Sequence, residues 1–298
     1  MRFSTPIDRA KAILRSATPL ARTVKGIAGL AVFVAVTWWA WQSVGGIEID
    51  WRWVAALLIV GAPLAVGVLT IEQHVSIYLA GVVVAIVSSF RTSLAASAAN
   101  YLPLPGAAIV RVGALANAGS GTGRAVAVAA TLGVQWLAIT TMLTAPGLLS
   151  AGMNLFALAA LVGGLVVLMA SWIVFARRFP GQTSTQLLGI CIVTVKVFVN
   201  GFNTYLGLLA VGADVDFAVA LLISASGVLA SAIGVFPGGL GLREFLSGVL
   251  GAIGGADPAL AALGAVVTRS VLTVGLGLAI AIASMTPRAG VEVDRIEA

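Results

Sequence analysis

Charge is scarce in this chain. Only 9% of its 298 residues are Asp, Glu, Lys or Arg, whereas 60% are hydrophobic. A soluble domain carries roughly 25% charged residues because its surface must meet water. A water-soluble globular fold is therefore excluded. Histidine and cysteine are scarcer still, with one of each, His74 and Cys191. They cannot build a His-rich metal site, and a lone cysteine forms no internal disulfide. No G-x-S-x-G elbow, P-loop or paired intramembrane carboxylates occur, and Gly238–Gly241 lacks the strand context of a dinucleotide fingerprint. These absences argue against an enzyme, against a bound cofactor or metal, and against ATP hydrolysis.

What the chain has instead is long apolar runs. Full spans are expected at 26–44, 51–71, 123–147, 152–176, 185–211 and 257–285. The runs are apolar all round, which excludes the alternating strands of a transmembrane barrel. The fold class expected is an all-α polytopic membrane protein: about six full spans plus two broken hairpins, in one domain over 26–285. A basic tail precedes it (1–25) and a short tail follows (286–298). The net charge of +6 does not signal nucleic acid. Arg2, Arg9, Lys11, Arg15, Arg22 and Lys25 face only Asp8 before the first span, a topology anchor. Ile13, Leu14, Ala17 and Leu20 fall at helical spacing, so part of this tail suits a membrane surface. Trp38, Trp39, Trp41, Trp51 and Trp53 form an interfacial belt around the first outer turn. Positive-inside bias puts both termini, a Glu72–His74 turn, Arg124 and Arg177–Arg178 in the cytoplasm. Glu48, Asp50, Asp214 and Asp216 fall outside.

Two regions break the pattern. Segment 75–119 is interrupted by Tyr101-Leu-Pro-Leu-Pro-Gly106, and segment 217–255 by Phe236-Pro-Gly-Gly-Leu-Gly241. Proline and glycine prevent one continuous helix through either break. Broken backbone at membrane depth needs protein or a wet cavity around it, so both regions read as re-entrant hairpins. Pro105-Gly106 and Pro237-Gly238 each have an arginine five residues after the glycine, Arg111 and Arg243, at an offset of 132. The other two Pro-Gly dipeptides do not. One hairpin opens inside and the other outside, so the copies read as an inverted repeat, a design that places substrate sites between broken helices. Pro105, Gly106, Pro237, Gly238, Gly239 and Gly241 are the candidate backbone and hinge positions.

In such a background each ionisable residue is informative, because a charge at mid-bilayer costs about 2.5–3.5 kcal/mol on insertion scales. Arg91, Arg111, Lys196, Arg243, Arg269 and Glu244 are expected at membrane depth. Five cations then face a single acid. An anionic ligand would balance the excess, and arginine's planar fork matches phosphate oxygens. Glu244 is expected to neutralise Arg111, Lys196 or Arg269, or to exchange a proton. Lys196, Asn200 and Asn203 share one helical face at i, i+4 and i+7, with Tyr205 close by. That stripe either lines a cavity or bonds neighbouring helices. Gln135 and His74 carry weaker signals. Gly163-Gly164 and Gly275-x-Gly277 permit close helix packing.

At its two Pro-Gly segments the sequence resembles the flippase-like membrane domain family, also called the lysylphosphatidylglycerol synthase transmembrane region. Phe236-Pro-Gly-Gly-Leu-Gly-Leu-Arg-Glu244 is similar to the family's P-G-G-x-G-x-x-E element. Asn100 to Arg111 is similar to its earlier Pro/Gly-then-Arg element. The family often has Gly-Glu where this chain has Ala107-Ala108. Bifunctional members append an aminoacyl-transfer domain, for which about 13 residues after the last span leave no room. The resemblance implies lipid translocation or lipid-linked envelope assembly without lipid aminoacylation.

The expected activity is binding and flipping of an anionic lipid or lipid-linked envelope precursor in a bacterial-type plasma membrane. Arg111, Arg243, Arg269 and Lys196 would hold the head group, Glu244 would be the counter-charge, and Asn200 and Asn203 would line the path. Partners would be membrane lipids and envelope-synthesis enzymes. Two other classes stay open: an ion-coupled transporter of a small soluble anion, and a non-transporting scaffold for envelope synthesis.

Overall fold

The computed structural model describes residues 19–100, 106–234, 236–285 and 294–295, with side chains left undescribed at 19–23, 25, 237 and 294–295. Ten helices carry the described chain. They are α1 (Pro19–Val44), α2 (Trp51–Leu79), α3 (Ile86–Ala99), α4 (Gly106–Leu115), α5 (Thr122–Ser150), α6 (Asn154–Arg178), α7 (Thr183–Ala210), α8 (Phe217–Ile233), α9 (Leu242–Ile253) and α10 (Pro258–Met285). Six of them, α1, α2, α5, α6, α7 and α10, are long and apolar enough to cross a membrane. The architecture is that of an all-α polytopic membrane protein. Among the described residues the one strand pairing is a two-residue ladder, Val82–Val83 against Asp294–Arg295.

Local chemistry sets the helix ends. The Asp50 carboxylate accepts the Arg52 backbone N–H at 2.9 Å and opens α2. Asp257 accepts from Ala259 and Leu260 at 2.8 and 3.0 Å and opens α10, with Pro258 in the first turn. Gly234, at φ 62°, closes α8 in the left-handed conformation that lacks a Cβ penalty. At the end of α2 the Arg124 guanidinium donates to the Leu79 carbonyl at 3.2 Å and lies 5.1 Å from the Phe179 ring centre. A cation there suits the negative end of the helix.

The second span differs from expectation. In place of a turn at Glu72–His74, α2 runs on to Leu79. No glycine or proline lies between Gly67 and Gly81 to stop it. Its 29 residues reach about 43 Å at 1.5 Å each, beyond a ~30 Å hydrocarbon core. Glu72, on this helix, is 2% exposed and faces protein. Within α2, residues Leu57–Gly61 form a π turn just before Pro63, which has no N–H to give.

Helix α2 packs on α7 at the centre of the molecule. Around this pair the same neighbour relations occur twice. α2–α3, α3–α4 and α4–α5 contact in sequence, as do α7–α8, α8–α9 and α9–α10. The two sets also cross: α3 touches α10, and α8 touches α5. α6 packs on α5, while α1 packs on α9 and α10. The expected surface segment around Ile13, Leu14 and Ala17, the break residues Tyr101 to Pro105, and most of the C-terminal tail lie outside the described residues.

Small residues set the closest approaches. A Cβ on Gly207 of α7 would stand 2.7 Å from the Gly264 carbonyl oxygen of α10 and would also strike Thr268. Gly277, in contrast, faces open space. Gly207→Ala should therefore destabilise the fold by about 1–3 kcal/mol through overpacking, lowering the thermal midpoint in detergent. Gly277→Ala should leave that midpoint unchanged or raised.

Candidate functional site

Two ion clusters occupy the interior, one joining the two helix sets and one within the second. The first is built by three helices. Glu72 on α2 is 2% exposed, and its carboxylate accepts from Lys196 Nζ of α7 at 2.8 Å to Oε1 and 3.0 Å to Oε2. Arg111 Nη2 of α4 stands 3.3 Å from Oε2. The Lys196 ammonium also lies 4.3 Å from the centre of the Trp136 ring on α5, a cation–π contact. Of the three charged side chains, Glu72 and Lys196 keep 3% and 11% of their surface exposed, while Arg111 keeps 24%. Its Nε is buried and makes no hydrogen bond.

The second cluster is built at the start of α9. Glu244 is fully buried. Its Oε2 accepts the backbone N–H of Gly241 at 2.8 Å, the reach-back half of a capping box. Its Oε1 accepts from Arg269 Nη1 of α10 at 3.1 Å. Arg269 Nη2 also donates to the Gly238 carbonyl at 3.2 Å. One carboxylate and one guanidinium thus tie the broken segment to α9 and α10.

The two breaks meet. A Cβ on Gly238 would lie 2.8 Å from the Asn100 carbonyl oxygen and 3.2 Å from Arg269 Nη2. Gly238 has φ 54° and Gly241 φ 78°, conformations that disfavour a side chain. Gly241 is further pinned by α1, where Phe33 N would stand 2.6 Å from an added Cβ. Gly239, at φ 67°, abuts Ala230 of α8. Gly106, where α4 begins, abuts the Ala99 carbonyl at the end of α3. Pro105 lies outside the described residues, as does the side chain of Pro237.

The remaining candidates separate. Arg243 lies against Gly227 of α8, where a Cβ would be 3.6 Å from its Nε. Asn203 is buried and donates from Nδ2 to the Gly61 carbonyl of the α2 π turn at 3.4 Å. Its own backbone carbonyl accepts from Thr268 of α10 at 3.3 Å. Asn203 therefore bonds neighbouring helices, whereas Asn200 is half-buried on the same face. Tyr205 packs edge-on to Phe217 at 5.9 Å. His74 Nδ1 is 3.1 Å from Ser89 Oγ, inside the α2–α3 contact. Arg91 is half-buried on α3, and Gln135 is fully buried on α5 with no amide partner.

Glu72 is the residue that sequence pattern misplaces, and it corrects the charge balance. Glu244 is not the lone interior acid, and Lys196 and Arg111 share a carboxylate of their own. The signal was the unbroken helical sequence through residues 72–79, together with a lysine that had to share its one expected acid, Glu244, with two arginines. Glu72 also places an acid beside Arg111, although Ala107-Ala108 supply none from α4. No group of three or more His, Cys, Asp or Glu able to hold a metal occurs among the described residues. No family model, curated protein or solved structure matches the chain.

Removing one partner of a buried ion pair leaves an uncompensated charge, at about 3–5 kcal/mol. Glu72→Leu leaves Lys196 and Arg111 together without a counter-charge and should approach that cost. Lys196→Leu leaves Glu72 paired with Arg111 and should cost less. The double variant should recover most of the loss, as read by denaturation midpoints in a double-mutant cycle.

Proposed function

We propose that this protein binds an anionic lipid, or a lipid-linked envelope precursor, and moves its head group across a bacterial-type plasma membrane. The observation that carries the reading is the meeting of two broken helix pairs at Asn100 and Gly238, with a buried cation–carboxylate cluster beside each pair. In this reading α3–α4 and α8–α9 are re-entrant hairpins of an inverted repeat, with both termini cytoplasmic. The resemblance at Phe236–Glu244 supports the same assignment.

The roles follow from chemistry. Arg111 and Arg269 offer guanidinium forks to head-group oxygens, and Lys196 and Arg243 reinforce the positive potential. Glu72 and Glu244 hold the cations in place when no head group is present. Glycines at the breaks let backbone approach the ligand and let the segments shift. The acyl chains would stay in the bilayer while the head group crosses along the α3–α4 and α8–α9 breaks. Substrate-free packing of the ion clusters keeps the route closed to water and small ions.

The test is transbilayer movement of head-group-labelled lipid in vesicles containing the purified protein. The wild type should accelerate movement of phosphatidylglycerol, and Arg111→Gln and Glu244→Gln should each lower that rate at least tenfold while remaining inserted. Unchanged rates in both variants contradict the site. A wild-type protein that moves soluble anions but no lipid supports the soluble-anion transporter. One that moves neither, yet co-purifies with envelope enzymes, supports the scaffold.

A further inference from the structure

Charge counting at the first cluster narrows the ligand, and the inference rests on the lipid reading above. With its groups ionised, Glu72, Lys196 and Arg111 sum to one positive charge. The Glu72–Lys196 pair is closed: both carboxylate oxygens lie within 3.0 Å of Nζ, and the side chains keep only 3% and 11% of their surface exposed. Arg111 is the open member, with exposed surface and a buried Nε that makes no hydrogen bond. Trp136 covers the ammonium from α5, so a ligand cannot reach Lys196 from that side.

We propose that Arg111 is the docking point for a singly charged phosphodiester head group, with Glu72 setting the charge that the cluster accepts. An uncompensated charge in an apolar interior is costly, so the ligand that best completes this cluster brings one negative charge. A phosphodiester carries one. A phosphomonoester carries about 1.5 to 2 near neutral pH and would leave the cluster negative. The Arg111 guanidinium offers its remaining N–H donors to phosphate oxygens while one Nη2–H stays on Glu72. Glu72 thus acts as a charge gauge: it orients Arg111, cancels Lys196 and repels a second negative charge. This is a role that Glu244 cannot share, since its carboxylate is committed to Gly241 N–H and Arg269.

The experiment measures equilibrium binding to detergent-purified full-length protein. Its probes are short-chain phosphatidylglycerol, phosphatidic acid and phosphatidylcholine, with dimethyl phosphate as a soluble diester. Wild type should prefer phosphatidylglycerol over phosphatidic acid at least fivefold at pH 8. Arg111→Gln should weaken phosphatidylglycerol binding at least tenfold. Glu72→Gln raises the cluster to two positive charges and should reverse the preference towards phosphatidic acid. If Glu72→Gln does not fold, Glu72→Gln/Lys196→Gln restores a single positive charge on Arg111 and should keep the wild-type preference.

Equal phosphatidylglycerol binding by wild type and Arg111→Gln overturns this proposal, and so does an unreversed preference in folded Glu72→Gln. Loss of the wild-type preference in the double variant overturns it as well. Should Arg269→Gln alone abolish lipid binding, the charge gauge fails and the lipid reading stands. Dimethyl phosphate binding as tightly as phosphatidylglycerol would keep the charge rule and overturn the lipid reading. Failure of wild type to distinguish any anionic probe from phosphatidylcholine overturns both.

Discussion

A carboxylate cannot stay ionised inside an apolar bundle unless cations come to it, and Glu72 draws two. Lys196 from α7 and Arg111 from α4 converge on one carboxylate of α2. The α2–α7 contact is also the seam at which the two repeated helix sets join. The ion cluster and the packing of the halves are therefore one construction. Lys196 of α7 could not be buried between α2 and α5 without Glu72, and α4 would have no polar anchor on α2 without Arg111. The energy of such a cluster lies less in net stabilisation than in the cost of breaking it, which makes the arrangement specific.

The second set answers the same problem with different residues. Glu244 binds backbone and side chain at once, linking Gly241, Arg269 and, through Arg269, Gly238. Its cluster stabilises a break in the backbone, whereas the Glu72 cluster joins separate helices. The sets therefore repeat in topology and differ in chemistry. One holds its cations with a carboxylate brought from a neighbouring span, the other with a carboxylate at the start of the short helix itself. The two meet at Asn100 and Gly238, where only a glycine leaves room for the opposing carbonyl.

Long apolar runs made five of the six spans readable to within three residues at each end, because length and hydropathy alone decide them. The second span was readable at its start and not at its end. Glu72-Gln73-His74 has the polarity of a turn, and only the tertiary neighbours Lys196, Arg111 and Ser89 explain why a helix carries those side chains through the interior. Glu244 was legible because its Gly-Gly-Leu-Gly setting marks a helix start, and Arg269 because the middle of a long apolar span offers no route to water. Asn203 was legible as polar, with bonding between helices one of two open readings; its particular partner, the carbonyl of Gly61 in a π turn, was not. Backbone acceptors of that kind leave no trace in side-chain pattern.

Native mass spectrometry of the detergent-purified protein, wild type beside Arg111→Gln, would identify the lipid that each retains and so decide whether the cationic cluster is a lipid site. A lipid-binding Arg111 requires a discrete phospholipid with one negative charge on the wild type and its loss from the variant. The same mixture of bulk lipids on both proteins would contradict that role.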